Sequence, residues 1–108
     1  MTKANEDLDI GDDLEITTVR SLPSANGNWI KGRLNGHRFE ALVFADHAEC
    51  ADYEIDQSRI SKLWIQRLAD KKEVFNWDRG LDVPAANKTV QAIVDFLAAG
   101  LAEHIYTK

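Results

Sequence analysis

The sequence is short of the features from which most chemical functions are read. It has a single cysteine, Cys50, so no disulfide can form within the chain, and a reducing, cytoplasmic setting is expected. Histidine is equally scarce: only His37 and His104 stand outside the His47–Cys50 stretch, and neither falls at a zinc-ligand spacing from it. No apolar run approaches the roughly 18 residues that cross a bilayer, so no membrane partner is expected. The first residues are acidic and lack an apolar core, so they do not read as a secretory signal. Cations are in the minority, 13 Lys and Arg against 18 Asp and Glu, for a net charge of −5. Broad nucleic-acid binding draws its affinity from cations on phosphates, and this balance disfavours direct binding by the chain as a whole, though a local basic patch stays open. There is no phosphate-cradling glycine loop, no carboxylate pair on a rigid element and no catalytic serine context. The expectation is a protein without catalytic residues, cofactor or metal.

What is present fits one ordinary domain. The chain has 108 residues, 44% hydrophobic and 29% charged, enough for one core. Its anchor is the stretch from Trp29 to Phe44, two runs of strand-forming residues joined by Asn35-Gly36. A type I′ turn needs φ > 0 at both central positions, which makes Asn-Gly the strongest short hairpin signal. The turn sets the register: Leu34 opposite His37, Arg33 opposite Arg38, Gly32 opposite Phe39, Lys31 opposite Glu40, Ile30 opposite Ala41, Trp29 opposite Leu42. Ile30, Leu34, Phe39, Ala41 and Val43 then share a core face. Phe39 lies opposite Gly32, where a missing side chain leaves room for its ring. The other face carries Trp29, Leu42 and Phe44, unusually apolar for a solvent face, with Lys31 and Glu40 as a favourable pair.

The flanks complete the architecture. Residues 1–13 read as a flexible acidic tail, and 14–108 as a single α+β domain. Leu14 to Arg20 is rich in β-branched residues and suits a strand. Ser21 to Asn28 is turn chemistry. Ile60 to Leu68 and Glu73 to Asp78, joined by Asp70-Lys71-Lys72, form a second antiparallel hairpin. In the first of these strands Ser61, Leu63 and Ile65 share one face and Ile60, Lys62, Trp64 and Leu68 the other. Val90, Ile93, Val94, Leu97, Leu101 and Ile105 recur at helical spacing, with Phe96 beside them, after Pro84 and a cap at Asn87 or Asp82. Gly100 weakens this helix or lets another backbone approach. The fold class is therefore an antiparallel sheet of four to five strands, made of two β-hairpins, packed on one C-terminal helix.

Two layers leave one sheet face bare, presenting Trp29, Leu42, Phe44 and a further tryptophan, Trp64 or Trp77. A contiguous aromatic patch marks an interaction surface unless the chain's own loops fold over it. A homodimer through that face is the other simple solution. The acidic charge is segregated as well. Glu6, Asp7, Asp9, Asp12, Asp13 and Glu15 form one block, and Asp46, Glu49, Asp52, Glu54 and Asp56 another, together 11 of the 18 carboxylates. Solvated loops explain this, or a negative surface aimed at a basic partner. Asp46, His47, Glu49, Cys50 and Asp52 are the densest reactive set. A Cys50–His47 nucleophile pair lacks an orienting third residue and an oxyanion hole, so a small buried cysteine is the simpler reading. His37 after the turn reads as partly exposed, and His104 suits the last helical turn.

Ile55-Asp56, Arg59 to Ile65 (RISKLWI) and Asn76 to Asp82 (NWDRGLD), with the hairpin from Trp29 to Phe44, resemble a small uncharacterised domain family of bacterial, phage and mobile-element proteins. Its members read "GIDGGRISKLWI", then "YDRGWD", then a terminal helix. The resemblance runs from Trp29 to Ile105. This chain has Gln57-Ser58 for the Gly-Gly, Trp77 for the Tyr and Leu81 for the second Trp. The resemblance implies a context, small stand-alone proteins often on mobile DNA, and no activity.

The leading expectation is a non-enzymatic phage or mobile-element protein that docks on a host protein or ribonucleoprotein complex. In its most concrete form it is an inhibitor of bacterial defence, anti-CRISPR-like, whose acidic segments replace nucleic acid at a basic site. The contact residues are then Trp29, Phe44, Asp46, Glu49, Asp52, Glu54, Asp56 and Trp64. The first alternative is an accessory single-stranded nucleic-acid-binding module using Arg33, Arg38, Lys62, Arg67, Lys71 and Lys72 with sheet aromatics. The second is a small hydrolase built on His47 and Cys50.

Overall fold

The computed structural model describes residues 14–22, 27–46, 54–55 and 58–106. The expected acidic tail, residues 1–13, lies outside them. Six strands form one antiparallel meander in chain order: β1 (Glu15–Leu22), β2 (Gly27–Leu34), β3 (His37–Phe44), β4 (Ile60–Arg67), β5 (Lys72–Asp78) and β6 (Leu81–Val83), followed by α1 (Lys88–Tyr106). The α+β class is as read from the sequence. The strand count is higher because β6 is only three residues long, between Gly80 and Pro84, and carries no alternation of its own.

The central hairpin has the expected register throughout, from Leu34↔His37 to Trp29↔Leu42. Asn35 and Gly36 sit at φ 52° and 75°, as a type I′ turn requires. Ile30, Leu34, Phe39, Ala41 and Val43 are all buried. A Cβ added at Gly32 would lie 2.8 Å from the Phe39 ring and 2.6 Å from the Glu15 carbonyl oxygen, so the glycine serves both the ring and the close approach of β1. His37 falls on this same face by register. It is buried rather than partly exposed, its Nδ1 is 2.7 Å from the Asn35 carbonyl, and its Nε2 has no hydrogen-bond partner among the described residues.

Bulges adjust which face each residue takes. β3 and β4 slip between Leu42 and Val43, so Val43 pairs with Ile60 and Ser61 is the extra residue. Ile60 therefore joins the core, fully buried, instead of sharing the face of Lys62 and Trp64. A second bulge, between Ile65 and Gln66, lets consecutive Val74 and Phe75 both be buried. Trp77 pairs with Leu63 and packs against the core, while still bordering the depression that Trp29 and Trp64 edge.

Helix α1 buries Val90, Ile93, Val94, Leu97, Leu101 and Ala102 against the sheet. Asn87 is its cap: the carboxamide oxygen accepts the Val90 N–H at 2.9 Å. Asp82 belongs to β6 instead. At the other end the Tyr106 hydroxyl donates to the Val43 carbonyl at 2.8 Å and accepts from Asn28 at 3.0 Å, tying the helix to the central hairpin. Gly100 meets nothing that a Cβ would touch within 4 Å, so no backbone approaches there.

Candidate functional site

With α1 on one face, the sheet's other face is open among the described residues. Strand register lays its side chains out in rows. Arg20, Trp29, Leu42, Lys62 and Asp78 make one row across β1 to β5. Thr18, Lys31, Glu40, Trp64 and Asn76 make the next. Glu15, Arg33, Arg38, Gln66 and Glu73 make the third. Leu42, flanked by Trp29 and the Lys62 stem, is only 8% exposed, whereas Trp29, Phe44 and Trp64 are half-buried. Phe44 lies over Gly27, whose Cβ would come within 2.8 Å of the ring.

The third row holds an arrangement the fold does not need. Arg33 and Arg38 stand directly opposite each other on one face. A like-charge pair in that position costs about 0.2–1 kcal/mol. Lys31, Arg33, Arg38 and Lys71 line one open groove of about 590 Å³, with Glu40 as its one carboxylate. Glu40 is 3.8 Å from Arg38, not from Lys31, its partner by register. Lys31, Arg33 and Lys71 have no ion pair among the described residues. The Arg38 guanidinium lies 5.0 Å from the centre of the Trp64 ring, a cation–π contact that orients both side chains. Beyond Glu40 the groove meets a depression of about 120 Å³ edged by Trp29, Trp64, Asn76, Lys62 and Asp78.

Of the other cations of the nucleic-acid reading, Lys62 and Arg67 are held in ion pairs. Lys62 lies 3.7 Å from Asp78. Arg67 makes paired hydrogen bonds to Asp70 at 3.2 and 3.1 Å; Asp70 holds the guanidinium pKa above its ordinary value, and Arg67 in turn holds the Asp70 carboxyl below its own. Lys72 follows at the turn, opposite Arg67. Lys31 is the groove cation that sequence reading set aside, as half of a pair with Glu40. Its signal was the two-residue spacing from Arg33, which puts both on one face.

The eight residues expected to contact a partner divide. Trp29 and Trp64 edge the same depression, and Phe44 lies at the end of β3 with exposed Asp46 just beyond. Glu54 is buried, and its Oε1 accepts the Arg59 backbone N–H at 2.5 Å. Arg59 has φ 67°, and its Nη1 donates to the Ala45 carbonyl at 2.9 Å. These contacts, with the Phe44 N–H on the Arg59 carbonyl, stitch the base of the β3–β4 connection. Glu49, Asp52 and Asp56 lie outside the described residues, as do His47 and Cys50. Among the described residues no three His, Cys, Asp or Glu side chains group as metal ligands, and no helix is long and apolar enough to cross a membrane.

The charge is unevenly divided along the chain. Eleven carboxylates fall within residues 6–15 and 46–56; the rest of the chain, Lys3 aside, carries twelve cations against seven carboxylates. The fold is thus a helix-backed antiparallel sheet with a tryptophan-bearing open face, whose cations Lys31, Arg33, Arg38 and Lys71 gather in one groove. The chain belongs to the family described as a domain of unknown function, DUF7678, whose model matches residues 28–102. The match coincides closely with the span of the resemblance and leaves β1 outside it. No curated protein and no solved structure matches the chain.

Proposed function

We propose that the chain is a non-enzymatic binding module that takes a single-stranded nucleic acid across its open sheet face. Phosphates lie in the groove of Lys31, Arg33, Arg38 and Lys71, and bases reach the aromatic depression at Trp64 and Trp29. The observation that carries this reading is the opposition of Arg33 and Arg38, with Arg33 in no ion pair among the described residues although Glu15 stands opposite it in β1. An anion between them turns a repulsive pair into a clamp. The groove and the depression share Glu40, so backbone and base sites adjoin there, as single-strand binding by a sheet requires. Arg38 over Trp64 adds a guanidinium plane on which a base can stack. A small phage or mobile-element protein, the type the resemblance implies, meets single strands whenever mobile DNA is copied or transferred.

The test is fluorescence anisotropy with labelled oligo-dT and oligo-U. Neutralising three to four phosphates gives a single-strand salt slope of about −2 to −3, so affinity falls about 20- to 50-fold between 50 and 200 mM salt. No binding to either oligonucleotide at low salt overturns the proposal.

Docking on a host protein complex, including the anti-defence form, is the second reading. What favours it is the half-buried Trp29 and Phe44 beside exposed Asp46. The two readings separate on charge: reversing Asp46, Asp52 and Asp56 to lysine strengthens oligonucleotide binding, whereas it abolishes docking on a basic protein site.

A further inference from the structure

We infer that two copies of the chain pair through β1 to form one continuous twelve-stranded sheet. The meander has two edges. β6 is three residues long and is followed within one position by Pro84, which has no N–H to offer. β1 is eight residues long, holds no Pro or Lys, and is exposed at Glu15 and from Thr17 to Ser21, with Val19 53% exposed. An edge of this kind is a ready template for another strand. The occupant follows from its own sequence. Antiparallel pairing about the midpoint of Thr17 and Thr18 sets Glu15 against Arg20 of the second copy, Ile16 against Val19, and Thr17 against Thr18. Two-fold symmetry makes each unlike contact twice.

The bulge makes this frame work. In a regular strand, residues five apart point to opposite faces, and Glu15 could not meet Arg20. Here β1 slips against β2 between Ile16 and Thr18. Glu15 therefore shares the open face with Arg20, opposite Arg33 and Trp29 respectively, while Ile16 and Val19 share the core face, opposite Gly32 and Ile30. Glu15 with Arg20 and Ile16 with Val19 then join side chains of the same face. The dyad is perpendicular to the sheet, so both open faces lie on one side, and the two grooves, each lined by Thr17, meet at it. The inference is independent of what the groove binds.

Sedimentation velocity of the full chain over a range of concentrations tests it. The wild type is expected to move toward twice the monomer mass. Glu15→Arg and Arg20→Glu each weaken association by about tenfold or more, since each turns two attractive contacts repulsive. The double charge swap restores association to within about threefold of wild type. Thermal unfolding of each variant is measured alongside, and a swap variant that fails to fold is replaced by Glu15→Gln or Arg20→Gln, with partial weakening expected. A wild type that stays monomeric up to about 1 mM overturns the proposal. So does a double swap that folds but does not re-associate.

Discussion

Replacing Gly32 by alanine tests the packing of the central hairpin with a single methyl. The new Cβ would lie 2.6 Å from the Glu15 carbonyl oxygen and 2.8 Å from the Phe39 Cζ. Neither neighbour is a flexible side-chain tip. One is backbone in the adjacent strand; the other is a ring 1% exposed in a packed core. Overfilling such a site costs about 1–3 kcal/mol, against about 0.4–1 kcal/mol returned by the stiffer unfolded chain. The net expectation is a loss of about 1–2 kcal/mol, which lowers Tm by about 4–15 °C for a domain of this size. Urea unfolding followed by tryptophan fluorescence measures it, with Phe39→Leu as a second variant: if the ring is what the methyl strikes, Gly32→Ala costs less in the Phe39→Leu background than alone. A Gly32→Ala variant as stable as wild type would refute the close approach of β1 and the ring to this position.

The same substitution at Gly100 has the opposite expected sign. A Cβ there meets nothing within 4 Å and the position is inside α1, so Gly100→Ala raises stability by about 0.5–1 kcal/mol in the same unfolding assay. Glu54→Ala removes a buried carboxylate from the Arg59 N–H and costs about 1.5–3 kcal/mol; a neutral result in calorimetry would free Glu54 for the contact role first expected of it. The Asp70 carboxyl is held below its ordinary pKa by Arg67, so whatever the turn gains from it is present above the unfolded-state value and is lost as pH falls through the depressed one. A carbon-detected NMR titration should show Asp70 protonating below ordinary aspartates, and Arg67→Gln should move it back up. Removing residues 1–13 deletes five carboxylates and one lysine, and should tighten oligonucleotide binding in anisotropy, most at low salt.

Much of the fold was legible because local signals agreed. Asn35-Gly36 set a register that placed twelve residues, and with it the face of every hairpin side chain. The helix stripe and the Asn87 cap were equally local. What was not legible depends on long-range fit. Ser61 is an extra residue only because β3 and β4 meet as they do, so nothing near Ile60 announces that it turns inward. His37 could have been placed on the core face from the register alone, and was instead judged by its nearness to the turn. β6 is too short to carry a pattern. For the candidate site, the opposition of Arg33 and Arg38 was already implied by the turn. Lys71 was not: it reaches the groove from the β4–β5 turn, at φ 59°. The net charge of −5 drew attention to the acidic segments, while the register had already gathered the cations.

The most direct test of the open-face account is the salt dependence of oligo-dT binding by the wild type and by Arg33→Gln/Arg38→Gln. Both glutamines are shorter but polar and stand at exposed positions, so the fold should survive, with relief of the like-charge pair offsetting the lost Arg38 contacts to Glu40 and Trp64. The account predicts binding at about 20 mM salt, a wild-type slope of about −2 to −3, and a slope shallower by about 1.4 in the double variant as two phosphate contacts are lost. Identical slopes for the two proteins, or no binding by the wild type at that salt concentration, would contradict it.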